Sequence, residues 1–203
     1  MTYIQASLNN GRVSRWDKGD FPLPIYIEKC NENKYNDMVI RALKEWEICS
    51  NGLIKFQEVN DLYDSKVNIS WERIDEKALG LCTWNSEDNR IFSAEIKIDL
   101  FGDNIPERYL DDNEVYHTIL HELGCAIGLG HSNDEKDIMY VPHQYGITNI
   151  SDNDIQTLAY IYNMPIGLTA KQLGEQFKID SEDFDEIVHL LVMRYSEEKK
   201  DNQ

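Results

Sequence analysis

Residues 121–131 read HELGCAIGLGH, and the spacing of their side chains decides how the rest of the chain is read. On a helix, His121 and Cys125 stand at i and i+4 and project from one face. Glu122 sits beside the first of them. Gly128 tolerates a positive φ, so the chain can leave the helix sharply there and carry His131 back toward the same face. Two imidazoles and a thiol are metal-ligand types, and three protein ligands leave a fourth position open for chemistry. A carboxylate at such a position can take a proton from water and hand it to a leaving amine. His121, Cys125 and His131 are therefore the candidate metal ligands, and Glu122 is the candidate catalytic residue.

The surrounding elements follow from periodicity. Residues 21–27 read as a first strand with its prolines at the start, where missing N–H groups do least harm. Val39, Ala42, Leu43 and Trp46 fall on one helical face, and Asn51 with Gly52 closes that helix. Residues 53–59 predict a second strand. Val67, Ile69 and Trp71, alternating with polar residues, predict a third. Residues 78–84 predict a short, irregular fourth. Phe92, Ala94, Ile96, Ile98 and Leu100 alternate with Ser93, Glu95, Lys97 and Asp99, the cleanest period-two segment in the chain. A polar loop over residues 102–113 leads into the motif helix, whose early Asp111, Asp112 and Glu114 suit the positive end of its dipole. An irregular loop runs to Ile150, and Ser151 caps a helix carrying Ile155, Leu158, Ala159 and Tyr162. Two short helices, over residues 169–177 and 181–195, end the chain. They read either as a pair packed on the main body or as a docking module for a partner.

Met139 follows His131 at a spacing that, with the extended motif, resembles the metzincin metallopeptidases and specifically the matrixins. In that family the zinc motif HExxHxxGxxH is followed by a tight turn with a methionine beneath the metal. Met139 matches the turn methionine, and Ser132 matches the residue that often follows the third histidine. The element order over roughly residues 15–164 is also similar to the matrixin catalytic domain. The resemblance implies an α+β fold: a twisted five-stranded mixed sheet, an active-site helix, the Met-turn and a last helix. It implies a metallopeptidase domain over residues 1–165 and a helical tail over 166–203. The implied activity is zinc-dependent endopeptidase, with one catalytic zinc and an extended peptide or protein substrate pairing with an edge strand near residues 78–84. Tyr140 and Pro142 then line the specificity pocket, and Gly128 and Met139 support the site. Residues 72–77 replace the longer loop that carries structural zinc and calcium ligands in animal matrixins. They contain no histidine, so a second zinc is not expected and calcium stays open. No pro-segment with an inhibitory cysteine is visible ahead of the domain. Another metzincin branch uses a tyrosine two residues after the methionine as an extra ligand, and Val141 stands there in this chain.

Cys125 departs from the family pattern, which has histidine there. Cysteine is a zinc ligand as a thiolate, but its sulfur lies nearer the backbone, and a Zn–S bond of about 2.3 Å recovers only part of the lost reach. A thiolate also adds negative charge, which makes bound water less acidic than the pKa of about 7 found at a three-histidine zinc. Three readings stay open: a mixed-ligand peptidase, a pseudoprotease that binds peptides without cutting, or a working parent altered at this position. His117, one turn before His121, would approach an ion from the wrong end and reads as a partly exposed helix residue. His143 belongs on the cleft wall, and His189 in the tail is structural or solvated.

With 20 basic and 37 acidic residues in 203, the net charge of −17 argues against a phosphate-backbone partner. No apolar run of about 18 residues is present to span a membrane. The start lacks the apolar stretch of a secretory signal, so the chain as written is cytoplasmic, or secreted with its leader removed. Cys30, Cys49, Cys82 and Cys125 form no CxxC. They read as free thiols, with a Cys30–Cys49 pair as the oxidised alternative. A monomer is expected.

Overall fold

The computed structural model describes residues 2–74, 78–100 and 111–201, with only the helical backbone described over 197–201. The expected loop over 102–113 lies outside the described residues up to position 110, and so does 75–77 of the shortened 72–77 segment. Five strands form one sheet: β1 (Leu23–Ile27), β2 (Phe56–Val59), β3 (Val67–Trp71), β4 (Gly80–Glu87) and β5 (Arg90–Ile98). Their order is β2-β1-β3-β5-β4. Every pairing is parallel except β4 with β5. The sheet is thus mixed, with β4 on one edge, as the α+β expectation requires. Two helices, α1 (Asn33–Cys49) and α2 (Asp112–Ala126), pack against each other, and α2 also packs against β4 and β5. Then come α3 (Asp152–Asn163), α4 (Ala170–Phe177) and α5 (Phe184–Asp201).

Three details differ from the sequence expectation. The fourth strand is neither short nor irregular. It runs eight residues and joins β5 through Asp88 and Asn89, both at positive φ (48° and 64°). Such a two-residue turn matches the twist of a hairpin, and both residue types tolerate that conformation. The clean alternation of β5 breaks at Phe92. Asn85 pairs with Ser93, but Ser86 pairs with Ile91, so Phe92 is the extra residue of a bulge. The slip turns Ile91 into the core at 0 % exposure and leaves Phe92 51 % exposed. The second strand begins only at Phe56, because residues 50–53 are taken up by the turn that ends α1.

The tail is also longer than expected, since α5 spans 18 residues. Leu173, Ile179, Phe184, Ile187 and Val188 are buried in the same apolar cluster as the sheet and α2. A fully buried residue of this type contributes about 1.5–3 kcal/mol. Burial of this many fits the reading of the tail as a pair packed on the main body. His189 is exposed. Among the described residues no helix is long and apolar enough to cross a membrane. The four cysteines are free thiols.

A buried carboxylate ties the entry segment to the sheet. Asp20 accepts from Lys66 Nζ and Arg90 Nη2, each at 2.7 Å, and from Arg90 Nε at 3.2 Å. Burial pushes this carboxyl up, but the bonds from Arg90 and Lys66 outweigh it and hold the group below its ordinary pKa. With the folded pKa below the unfolded one, the unfolded chain binds the proton more readily. The stabilisation is therefore full above the unfolded value and lost as pH falls through the folded one. Both cations are partly exposed, so Asp20→Asn should cost only roughly 1 kcal/mol at neutral pH. In urea titrations the variant and the parent should converge as pH drops below the carboxylate range. An undiminished gap at low pH would show that the ion pairs are not its source.

Candidate metal centre

The motif helix is fastened at both ends. Asp111 caps it, accepting from the N–H groups of Asn113 at 2.9 Å and Glu114 at 3.0 Å. At the other end, Trp16 Nε1 donates to the carbonyl of Ala126 (2.8 Å) and Tyr162 Oη to that of Ile127 (2.9 Å). These carbonyls are left without intrahelical partners by the end of the helix and are buried, so they need such donors. α2 stops at Ala126, and Gly128 turns the chain at φ +98°.

The turn brings the expected ligands together. One donor atom each from His121, Cys125 and His131 lie within 4.8 Å of one another, and among the described residues this is the one such group. The His121 and His131 rings are 5.3 Å apart. Nδ1 of His121 is 2.9 Å from the carbonyl of Ile138. A carbonyl only accepts, so Nδ1 carries the proton and Nε2 keeps the lone pair that a metal would use. Burial pushes His121 down to about 4, which keeps the ring neutral, and it also lowers His131. Burial raises the Cys125 thiol well above its ordinary range, and the nearby Glu122 and Cys82 add to this. Burial likewise pushes Glu122 up to about 8, against a hydrogen bond from the backbone N–H of Cys82. A divalent cation among these groups would oppose the rise at Glu122 and Cys125. The donor set fits zinc: two neutral imidazoles and a thiol, aimed at one point.

Above the three donors lies a cavity of about 450 Å³. β4 forms one wall with Gly80, Leu81 and Cys82. Tyr140, Val141, Pro142 and His143 form the other, and Thr118 and Glu122 also reach it. The expected wall residues Tyr140, Pro142 and His143 are all on this cleft. His117 differs from expectation. It is buried at 2 % exposure, lies against His143 with the rings tilted by 40° and 3.5 Å between their centres, and bonds through Nδ1 to the carbonyl of Ile147 at 2.6 Å. It lies outside the donor group, its ring 6.2 Å from that of His121.

A model of the matrixin family matches residues 16–163. The chain belongs to the matrixin family. A probable matrix metalloproteinase of Invertebrate iridescent virus 3 is 38 % identical over 55 residues, which are 26 % of this chain and 14 % of that protein. Matrix metalloproteinase-16 of Homo sapiens is 40 % identical over 58 residues, 27 % of this chain and 10 % of that protein. The aligned stretch thus spans a small part of each curated relative. Matrixins are a family of metallopeptidases.

In this matrixin several supporting residues escape a reading by motif. Asp154 completes the capping box of α3 with Ser151. Its carboxylate also accepts from the N–H of Ile138 (3.0 Å) and from Tyr3 Oη (2.6 Å). Asp137 accepts from the hydroxyls of Ser132 and Ser151 and so ties the Met-turn to both flanks. Gly80 and Gly124 mark close approaches. A Cβ on Gly80 would lie 2.4 Å from Glu122 Oε1, and one on Gly124 would lie 2.3 Å from Met139 Sδ and 3.1 Å from Trp46 Cζ2. A glycine inside a helix costs up to about 1 kcal/mol, so Gly124 was itself a signal of crowding. Gly124→Ala should lower stability by about 1–3 kcal/mol through overpacking. Chemical denaturation should show this as an earlier midpoint. An unchanged midpoint would mean that Met139 does not bear on the helix at Gly124.

Proposed function

We propose that this matrixin is a zinc-dependent metalloendopeptidase in which His121, Cys125 and His131 hold one zinc ion and Glu122 is the general base. The observation that carries the reading is the convergence of the three donor atoms at the floor of a cleft bounded by an edge strand. Zinc held there supplies the Lewis acidity that activates water and polarises the scissile carbonyl. An extended peptide pairs with the free edge of β4, which sets its backbone along the cleft. Glu122, held by the N–H of Cys82, takes the proton of the attacking water on a carboxylate oxygen and passes it to the leaving amine nitrogen. Nδ1 of His121, held by Ile138, keeps the imidazole in its ligating tautomer. Met139 supports the helix from below at Gly124, and Tyr140 with Pro142 shapes the pocket for a substrate side chain. No second zinc belongs to this reading.

Cys125 favours one other reading. Its thiol is pushed up by burial, which makes the thiolate that zinc needs harder to form, and a thiolate would weaken the Lewis acid. On that basis the chain would grip peptides without cutting them.

Metal analysis and casein cleavage separate the two. The parent chain should carry one equivalent of zinc and cleave. Cys125→His should keep the zinc and cleave faster. Glu122→Ala should keep the zinc while losing about 10²–10⁴-fold in rate. If the parent and Glu122→Ala are equally inert while Cys125→His cuts, the binding reading replaces the enzymatic one.

A further inference from the structure

The tail lies beyond residue 163, where the family match ends, yet it reaches the metal centre through the opening residues of the chain. The first turn of α5 meets residues 2–5. Asp185 Oδ1 accepts from Thr2 Oγ1 at 2.7 Å and from the N–H of Ile4 at 2.9 Å. Asp185 Oδ2 accepts from the N–H of Gln5 at 3.0 Å. The N–H of Phe184 returns a bond to Gln5 Oε1 at 3.2 Å. Phe184 and Ile187 are fully buried beside these contacts, and so is Ile4. One carboxylate therefore pins three residues of the opening segment at once, two of them through their backbone.

That segment touches both elements that aim the ligands. Ser7 Oγ accepts from the N–H of Gly130, the residue before His131, at 2.9 Å. Gly130 lies so close to the segment that a Cβ there would stand 2.1 Å from the carbonyl oxygen of Ala6. At its other end, Tyr3 donates through Oη to Asp154 and through its N–H to Thr157 Oγ1 at 3.2 Å. The second oxygen of Asp154 holds the N–H of Ile138, whose carbonyl orients His121. From Asp185, the path to His121 runs through Tyr3, Asp154 and Ile138, and the path to His131 runs through Ser7 and Gly130.

We propose that Asp185 is a positioning residue for the metal site: it clamps residues 2–7, and these hold the Gly130 turn and the Met-turn in ligating geometry. The coupling to metal rests on the reading that His121, Cys125 and His131 hold zinc. The mechanical part does not. A purely stabilising role for Asp185 would strengthen the whole body evenly. A clamp acts at two named points.

The test uses the full chain as Asp185→Ala, which removes all three acceptor bonds. Asp185→Asn keeps a carbonyl oxygen for Thr2 and Ile4. Hydrogen exchange of the metal-free protein should speed up in Asp185→Ala at the amides of Gly130 and Ile138, while those of β1, β3 and α1 stay at parent rates. Zinc affinity, read by competition with a chromogenic chelator, should fall by up to about 10-fold, the low end of the loss when a direct partner of a ligand is removed, because Asp185 acts through residues 2–7. The cobalt-loaded protein should show an altered absorption spectrum. Asp185→Asn should recover most of both the exchange protection and the affinity. Unchanged exchange at Gly130 and Ile138, or a uniform rise over the whole chain, would overturn the clamp. Local loosening with unchanged zinc affinity would overturn the coupling to the ligands. If the parent chain takes up no zinc at all, the metal reading fails, and the exchange pattern alone decides the clamp.

Discussion

The bond between His121 Nδ1 and the carbonyl of Ile138, 2.9 Å long, joins the motif helix to the turn that follows it. His121 belongs to a helix packed under the sheet, and Ile138 belongs to the turn beyond His131. Only if both are fixed does the imidazole present Nε2 toward Cys125 and His131. The fold supplies that fixity by surrounding a buried loop with polar partners. Buried backbone groups must be paired, and here Asp154 accepts from the N–H of Ile138 and Ser132 from that of Asp134, while Asp137 takes the hydroxyls of Ser132 and Ser151. The candidate metal site is in this sense a by-product of satisfying a turn that lies outside the five strands and the helices.

Close approach is the second requirement. β4 can lie over α2 because Gly80 offers no side chain against Glu122 and Thr118, and Met139 can rise beneath α2 because Gly124 offers none against its sulfur. These glycines act on opposite sides of one helix within a short distance of the ligands. Glu122 is as buried as it is partly because the edge strand sits so near. The same proximity brings the backbone of Cys82 to its carboxylate, so the proposed general base lies against the strand proposed to bind substrate.

Much of this was legible in the sequence. The i, i+4 spacing of His121 and Cys125, the turn at Gly128 and the return of His131 are local, and local geometry is what spacing encodes. Strand β3 and residues 94–98 of β5 were legible for the same reason. The failures are non-local. Phe92 continues the alternation perfectly, yet a bulge set by pairing with β4 reverses it. His117 looks like a surface helix residue until Ile147 and His143 close over it. Asp154 and Asp185 look like ordinary acidic residues at helix starts, and their partners at residues 2–4 are about 150 and 180 positions away. No window of sequence contains both ends of such a contact.

That separation has a consequence for how the molecule is made. The strands, α1, α2 and the Met-turn are all complete by residue 163, and a nascent chain can collapse around them while the tail is still being synthesised. Residues 2–5 cannot take their final partners until Phe184 and Asp185 have emerged. Contacts between such distant positions carry the largest loop-closure cost and form late. On the clamp proposed above, the order of synthesis places its closing at the end of folding, after the cleft already exists.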